Sequence, residues 1–392
     1  MKPSRKELIL NIMQEQKIAS IKDLAEALSC TEMTIRRNLN LLQQEGLIVR
    51  QHGYARLAES ADADMPVPGD AADGKSTDSI SPTKSVDVQG SLLADGYDGG
   101  NKGGTTGNGR TIGFVVFTAT GKLLGMNSFL PYILSGIQTA ARRHGYSITF
   151  INITRANIET EISYIREAGC AGFVIFATEL QERDLPYFQR LNIPFVLFDN
   201  YFNDLPLNCV KVNNEQGTWI SLKYLYDMGH RRIGYLGSGV EIDSFLERRF
   251  WAFSHMYGFG LKPENCLYYK IGYPHEEAEV GMDRILHTYS KEDLPTAFIG
   301  DNDLVVLGAM HACIKNDYRI PDDFSFVGFD GREECTLIYP KLTTVDLPRT
   351  RFGAEAVELL IRYLEYPSES FINIEIGLQL RVRESVRRMG ER

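Results

Sequence analysis

Hydrophobic positions follow two rhythms along the chain, and the change between them divides it. In residues 1–57 apolar side chains recur at helical spacing: Leu8, Ile9, Ile12 and Met13, then Ile21, Leu24, Ala25 and Leu28, then Ile35, Leu39 and Leu42. Spacing of i, i+3, i+4, i+7 puts such residues on one face of a helix, so three short helices are predicted. Ser20 and Thr31 stand at N-cap positions, Ser29-Cys30-Thr31 makes a short turn, and Gly46 stops the third helix. Residues 47–57 read as two short strands around His52-Gly53-Tyr54. From residue 111 onward the rhythm changes to short apolar runs at 112–117, 148–151, 173–176, 195–198, 233–236, 267–271, 297–299 and 324–329. Amphipathic stretches such as 132–144, 215–228 and 304–315 separate them. Continuous apolar strands alternating with helices predict parallel sheets covered on both faces. Residues 110–392 are too many for one such sheet, so two doubly wound α/β lobes are expected.

Between the two rhythms, residues 58–109 hold ten Gly, nine acidic residues and one aromatic, Tyr97. Such a stretch cannot bury enough apolar surface to offset its ordering entropy, and it reads as a flexible linker. The expected organisation is a head at 1–57, a linker at 58–109 and a two-lobed body at 110–392. Lobe 1 is expected at about 110–212 and 342–366, and lobe 2 at about 213–341 and 370–388.

Composition then narrows the function. The chain has 392 residues and a net charge of −9, which taken whole argues against nucleic acid. Divided by segment, the head carries nine basic against six acidic residues, while the linker and the body are each at −6. The acidity hides a basic head. No apolar run approaches the 18 residues of a membrane span, and the N-terminus lacks a continuous signal-peptide core. Six scattered cysteines without a C-x-x-C pair fit a reducing compartment, so a cytoplasmic protein is expected.

Two short helices joined by a three-residue turn are the sequence form of a helix-turn-helix. With Ile35 and Leu39 facing inward, Thr34, Arg36 and Arg37 lie on exposed azimuths near the start of the third helix, where arginine can reach a guanine edge or a phosphate. Arg50, His52 and Arg56 would form a wing against the DNA backbone or minor groove. The plainer reading of Arg36 and Arg37 is a solvated helix face; the three-helix-plus-wing pattern favours DNA. The run Thr31-Glu32-Met33-Thr34-Ile35-Arg36-Arg37-Asn38-Leu39, with Glu45-Gly46-Leu47-Ile48 and His52-Gly53-Tyr54-Ala55, resembles the winged-helix head of DeoR-type repressors. Asn38 replaces that family's usual Asp, and Tyr54 a common second Gly. The DNA-binding residues so implied are Thr31, Thr34, Arg36, Arg37, Arg50 and His52.

In the body, ligands of doubly wound sheets bind outside the carboxyl ends of strands. Those ends carry Thr118, Asp199-Asn200, Asp301-Asn302-Asp303 and Asp330. The glycines of 234–239 lack dinucleotide spacing, and 99–109 lacks a phosphate-loop lysine followed by Ser or Thr. His311 and Cys313 are two apart on a helix and diverge, so no metal is expected, and no nucleophile–base pair suggests an enzyme. No cofactor is called for.

The body, over about 110–384, resembles the sensor of the lactose/galactose repressor family, itself similar to type-I periplasmic sugar-binding proteins. Its markers are Asn213-Asn214-Glu215-Gln216-Gly217, then 225–236 with Gly229-His230-Arg231-Arg232, then 295–303, 320–330 and Leu342-Thr343-Thr344-Val345. The resemblance implies that Arg249 and Asp303 bind an effector between the lobes, with Phe129 near the cleft mouth and Tyr273 and Asp330 as further contacts. An arginine fork and an ionised carboxylate suit a polyol. For Asp303 alone a helix N-cap role, and for Arg249 alone a surface salt bridge, are the ordinary alternatives. Asn213 and Ala252 depart from the family's Asp and Gly, and the family's hinge helix is not visible. The combination implies a cytoplasmic, homodimeric regulator, expected to be a repressor, that binds operator DNA under control of a small effector such as a sugar. The alternative is a sugar-binding module whose head docks a protein.

Overall fold

In the computed structural model the described residues are 110–119, 129–202 and 204–390, together with short helical and strand segments between residues 8 and 57. The chain divides into two units, with the boundary between Asn101 and Lys102. The expected linker, 58–109, lies outside the described residues.

In the first unit, β1 (Ile18–Ser20), β2 (Ile48–Gln51) and β3 (Tyr54–Leu57) form an antiparallel sheet in the order β1-β3-β2. The β2–β3 hairpin matches the expected strand pair. The strand β1 does not: its position reads as a break between helices, because three residues are too few to show a period. Ile9, Leu24, Ala25, Ile35, Leu39, Leu42 and Ile48 are buried together, so the helical pattern marks the core-facing side.

The second unit begins with β4 (Thr111–Thr118), α1 (Leu130–Arg143), β5 (Ser147–Thr154), α2 (Ile158–Glu167), β6 (Gly172–Phe176), α3 (Leu185–Gln189), β7 (Phe195–Phe198) and β8 (Cys209–Val212). After α4 (Asn214–Asp227) a second run follows: β9 (Ile233–Gly237), α5 (Asp243–Gly258), β10 (Cys266–Lys270), α6 (His275–Thr288), β11 (Ala297–Gly300), α7 (Asp303–Lys315), β12 (Ser325–Asp330) and β13 (Thr343–Asp346). The chain closes with α8 (Arg349–Glu365), β14 (Asn373–Ile376) and β15 (Gln379–Arg381). Two six-stranded sheets result, ordered β5-β4-β6-β7-β8-β14 and β10-β9-β11-β12-β13-β15, parallel throughout except for the β13–β15 pair. In each, the first strand of the lobe lies between the second and the third, the doubly wound order whose switch point opens a crevice at the strand carboxyl ends.

The expected two-lobed α/β architecture is present, with one correction to the division of the C-terminal segments. Residues 342–366 were expected in lobe 1, yet β13 pairs with β12 in the second sheet and only α8 packs on the first. Conversely β14, within the expected lobe 2 segment 370–388, pairs with β8 in the first sheet. The polypeptide therefore passes between lobes at 213, between β13 and α8, and between β14 and β15. Four-residue strands such as TTVD and NIEI carry too little apolar pattern to reveal the sheet they join.

The central strands of each sheet are buried on both faces. Along β4, Ile112, Phe114 and Val116 pack with Ile133 and Ile137 of α1 and Phe352 and Leu360 of α8. The alternate residues Val115 and Phe117 pack with Ile162 and Ile165 of α2 and Phe188 of α3. In the second sheet Leu236, Phe298 and Phe326 meet α6 and α7, while Tyr235, Ile299 and Val327 meet α4 and α5. Burial of each such large side chain contributes about 1.5–3 kcal/mol. Helices α1 and α8 touch backbone to backbone at two glycines. A Cβ on Gly136 would lie 1.8 Å from the Thr350 carbonyl oxygen, and one on Gly353 2.3 Å from that of Ile133. Among the described residues, no helix is long and apolar enough to cross a membrane.

Candidate functional site

The carboxyl ends of both sheets converge on one cavity. The first sheet and its loops supply Phe117, Phe176, Thr178, Glu179, Asp199 and Val212; the second supplies Tyr273, Asn302, Asp330 and Arg332. Phe129, Ile242, Ser244, Phe245, Arg248 and Leu347 complete the wall. The mixture of aromatic faces with carboxylates, an amide and two guanidinium groups is that of a small-molecule site.

Arg248 organises the polar side. Helix α5 buries Phe245, Arg248, Ala252 and His255, a stripe at helical spacing, so its arginine is drawn inward with them. Its Nη1 donates to the Asp301 carbonyl at 2.7 Å and to Asp330 Oδ1 at 3.0 Å, and its Nε donates to Asn214 Oδ1 at 2.9 Å. The guanidinium lies 3.7 Å from the centroid of Phe329, which holds its plane. Opposite, Asp199 accepts from the Thr178 hydroxyl at 2.6 Å. Burial pushes the Asp199 carboxyl up to about 6, against the pull of Thr178 and Arg248. Asp330 is likewise raised by burial, with Arg248 and Arg332 opposing. Both aspartates have positive φ, 67° and 109°. Non-glycine residues held in that region carry strain that the surrounding structure must sustain, as is common where ligands are clamped.

Of the five expected effector contacts, Phe129, Tyr273 and Asp330 line the cavity, while Arg249 and Asp303 do not. Arg249 is one residue, and so about 100°, round the helix from Arg248. It turns away and donates to the Tyr268 hydroxyl at 3.1 Å. Asp303 follows the N-cap of α7, Asn302, whose side chain accepts from the Val305 N–H at 3.2 Å. It is fully buried behind the wall, accepting from the Thr344 hydroxyl at 2.5 Å and the Arg332 N–H at 2.7 Å. Burial, with the nearby Asp330 charge, pushes its carboxyl up to about 7. Asp303 thus joins β13 to the loop bearing Arg332 and shapes the wall from behind. Thr178, Arg248 and Arg332 were not anticipated; Asp199 and Asn302 carried a signal in their place at strand ends.

In the head, Thr34 is a partly buried helical residue, and its carbonyl accepts from Asn38 Nδ2 at 2.8 Å. Asn38, the departure from the family pattern, therefore folds onto its own helix. Arg50 belongs to β2, while Thr31, Arg36, Arg37 and His52 lie outside the described residues. In the body, the departure at Asn213 caps α4 by accepting from the Gln216 N–H at 2.8 Å, as an Asp would.

Comparison with known proteins agrees with both parts. Residues 222–386 match the family model of a periplasmic binding protein-like domain, and residues 5–61 that of a DeoR-like helix-turn-helix domain. HTH-type transcriptional repressors PurR of Mannheimia succiniciproducens and Vibrio vulnificus are 25% and 28% identical, each over 71% of this chain and 82% of their own length. A LacI family transcriptional regulator from Enterococcus faecium with bound ribose aligns at TM-score 0.61 and 17% identity, over 71% of this chain and 99% of its own. The regulator CelR in complex with cellobiose aligns at TM-score 0.62 and 20% identity, over 70% and 84%. Fold and cleft together define a two-lobed sensor of the periplasmic-binding-protein-like class. More particularly, the body is similar to PurR-type and LacI-family regulators, and the head to DeoR-like helix-turn-helix domains. The alternative in which the head docks a protein partner is not favoured by these matches.

Proposed function

We propose that the protein is a ligand-controlled DNA-binding repressor whose effector is a small, neutral, polyhydroxylated molecule held between the two lobes. The observation that carries this reading is the cleft itself: strand ends of both sheets bring Asp199, Asn302 and Asp330 into one cavity lined also by Arg248, Phe129, Phe245 and Tyr273. Aspartates and an amide accept and donate to hydroxyls, an arginine fork fixes orientation, and aromatic faces cover the apolar side of a ring. Three carboxylates against two guanidinium groups line the wall, a balance that disfavours an anionic ligand such as a sugar phosphate. The similar regulators with bound ribose and cellobiose support a sugar. In this reading the head, residues 1–57, meets operator DNA through Thr31, Thr34, Arg36, Arg37, Arg50 and His52. Residues 58–109 link it to a homodimeric sensor at 110–392, and the protein works in the cytoplasm without catalysing a reaction.

A thermal-shift screen of the full chain against neutral sugars and their phosphates tests the effector. A neutral sugar is expected to raise Tm in a concentration-dependent way. Stabilisation by the phosphates alone would overturn the charge argument. For the head, Arg36→Ala with Arg37→Ala is expected to abolish salt-dependent binding to duplex DNA while leaving the sugar response intact.

A further inference from the structure

Outside the cleft, two helices of the second lobe bring together three side chains with metal-binding donors. His275 and Glu279 are four residues apart on α6 and therefore share a face. His311 reaches them from α7, and one ligand atom from each of the three residues lies within 4.8 Å of the others. The two imidazole rings meet edge to face with centroids 4.6 Å apart.

The approach is built into the backbone. At Gly308, one helical turn before His311, a Cβ would lie 2.4 Å from the His275 carbonyl oxygen and 2.8 Å from the Ala278 Cβ. Only glycine lets α7 come this close to the start of α6, and the closeness aligns His311 with His275 and Glu279. Sequence alone weighed His311 against Cys313, its neighbour on the same helix, and found them divergent; the partners come from the adjacent helix.

We propose that His275, Glu279 and His311 form a binding site for a divalent transition-metal ion of the Zn²⁺ class. Two imidazoles and one carboxylate are donors suited to zinc, copper or nickel rather than to calcium or magnesium. Zinc bonds of about 2.0–2.2 Å require tetrahedral ligand atoms to come within roughly 3.3–3.6 Å of one another. A closure of about 1.2–1.5 Å brings the three from their present spacing to that range, within reach of side-chain rotation at a partly exposed site. Glu279 now pairs with Lys315 Nζ at 3.3 Å. The lysine is largely exposed, so the pair is weak and yields to a divalent ion.

Calorimetric titration of the full chain with Zn²⁺ tests the site, using His311→Gln, Glu279→Gln and the control His287→Gln. His287 is an exposed residue of the same helix whose Nδ1 contacts the Asp283 carbonyl, outside the cluster. His311→Gln and Glu279→Gln are expected to weaken one Zn²⁺ site by at least about tenfold, the lower end of what losing even a supporting partner costs. His287→Gln is expected to leave it unchanged. Every other histidine and cysteine is retained in these variants, so binding elsewhere in the chain appears equally in all. With Cu²⁺ as the probe, the electron paramagnetic resonance spectrum should show coupling to two nitrogens in the parent and one in His311→Gln. Unchanged Zn²⁺ binding in His311→Gln, or an equal loss in His287→Gln, would overturn the proposal.

Discussion

Arg248 and Arg249 are adjacent in sequence and have opposite fates, which makes them a direct test of how the cleft is built. Replacing Arg248 with methionine leaves Asp330, Asn214 Oδ1 and the Asp301 carbonyl without their common donor. Removing one partner of a buried ion pair costs about 3–5 kcal/mol. Arg249→Met removes one partly exposed contact with Tyr268 and should cost under about 1 kcal/mol. Urea unfolding of both variants measures the difference. Effector affinity should fall by about 10–100-fold in Arg248→Met alone, as expected for losing a charged hydrogen bond; a loss confined to Arg249→Met would restore the assignment that the family resemblance implies. His230 offers a second test. It is fully buried between the Thr296 hydroxyl and the Arg387 carbonyl, and burial lowers its pKa to about 4 from 6.5. Between those values the unfolded chain takes up a proton that the folded chain refuses, so this stabilisation is complete above pH 6.5 and is lost as pH falls towards 4. Asp199 and Asp303, raised to about 6 and 7, act in the opposite sense: their folded forms hold protons that the unfolded chain releases, so acid favours folding through them. The whole-chain curve mixes these trends, but comparison of wild type with His230→Gln isolates the histidine. The stability gap between them should shrink by about 3 kcal/mol from pH 7 to pH 4. A gap that stays constant across that range would mean that the ring titrates normally.

At the scale of elements, what the sequence makes legible depends on length and on which faces are buried. All eight apolar runs that read as strands coincide with strands, because the central strands are covered on both faces and most of their positions are apolar. The helices at 130–143, 214–227 and 303–315 emerge within two residues of their amphipathic stretches. The strands at 209–212, 343–346, 373–376 and 379–381 do not emerge, since each is three or four residues long and contains a charge. The site is legible to the same degree: strand ends point to Asp199, Asn302 and Asp330, while Arg248 needs the rotation of α5, which a count of residues cannot supply. Nor does spacing reveal contacts between helices distant in sequence, such as those of α1 with α8. There Gly136 and Gly353 each face a carbonyl of the other helix. Gly136→Ala would drive a methyl into the Thr350 carbonyl, and the helices would have to separate. Overpacking of this kind costs about 1–3 kcal/mol or more, whereas alanine at an open helical glycine stabilises by up to about 1 kcal/mol. Gly258, with no atom within 4 Å of a built Cβ, is the control. Chemical denaturation should place Gly136→Ala below and Gly258→Ala at or above the parent; equal midpoints would show that α1 and α8 yield without strain.

At the scale of the whole molecule, a net charge of −9 conceals an uneven distribution: +3 over residues 1–57, −6 over 58–109 and −6 over the rest. The acidic segments repel DNA phosphates, which leaves the head as the surface able to approach them. A charge of +3 makes a weak contact, so in the proposed homodimer strong binding would come from two heads on one operator, paired through the sensor. The composition of residues 58–109 predicts a linker of 52 residues spanning roughly 40 Å r.m.s.. Half-sites one DNA turn apart are separated by ~34–36 Å. Two heads so tethered would reach both half-sites without a fixed spacing. The effector would then act by changing sensor pairing, and hence the effective concentration of the second head, rather than by folding a hinge. Affinity of the full chain should be measured on operators whose half-sites are moved apart in single base-pair steps, with and without the effector. Flexible tethering predicts affinity that declines gradually with spacing, with a periodic component from the facing of the half-sites, and an effector that shifts the whole curve by a similar factor at every spacing. A sharp optimum at one spacing, abolished by the effector, would instead require a rigid connection between head and sensor and would sink the tether mechanism.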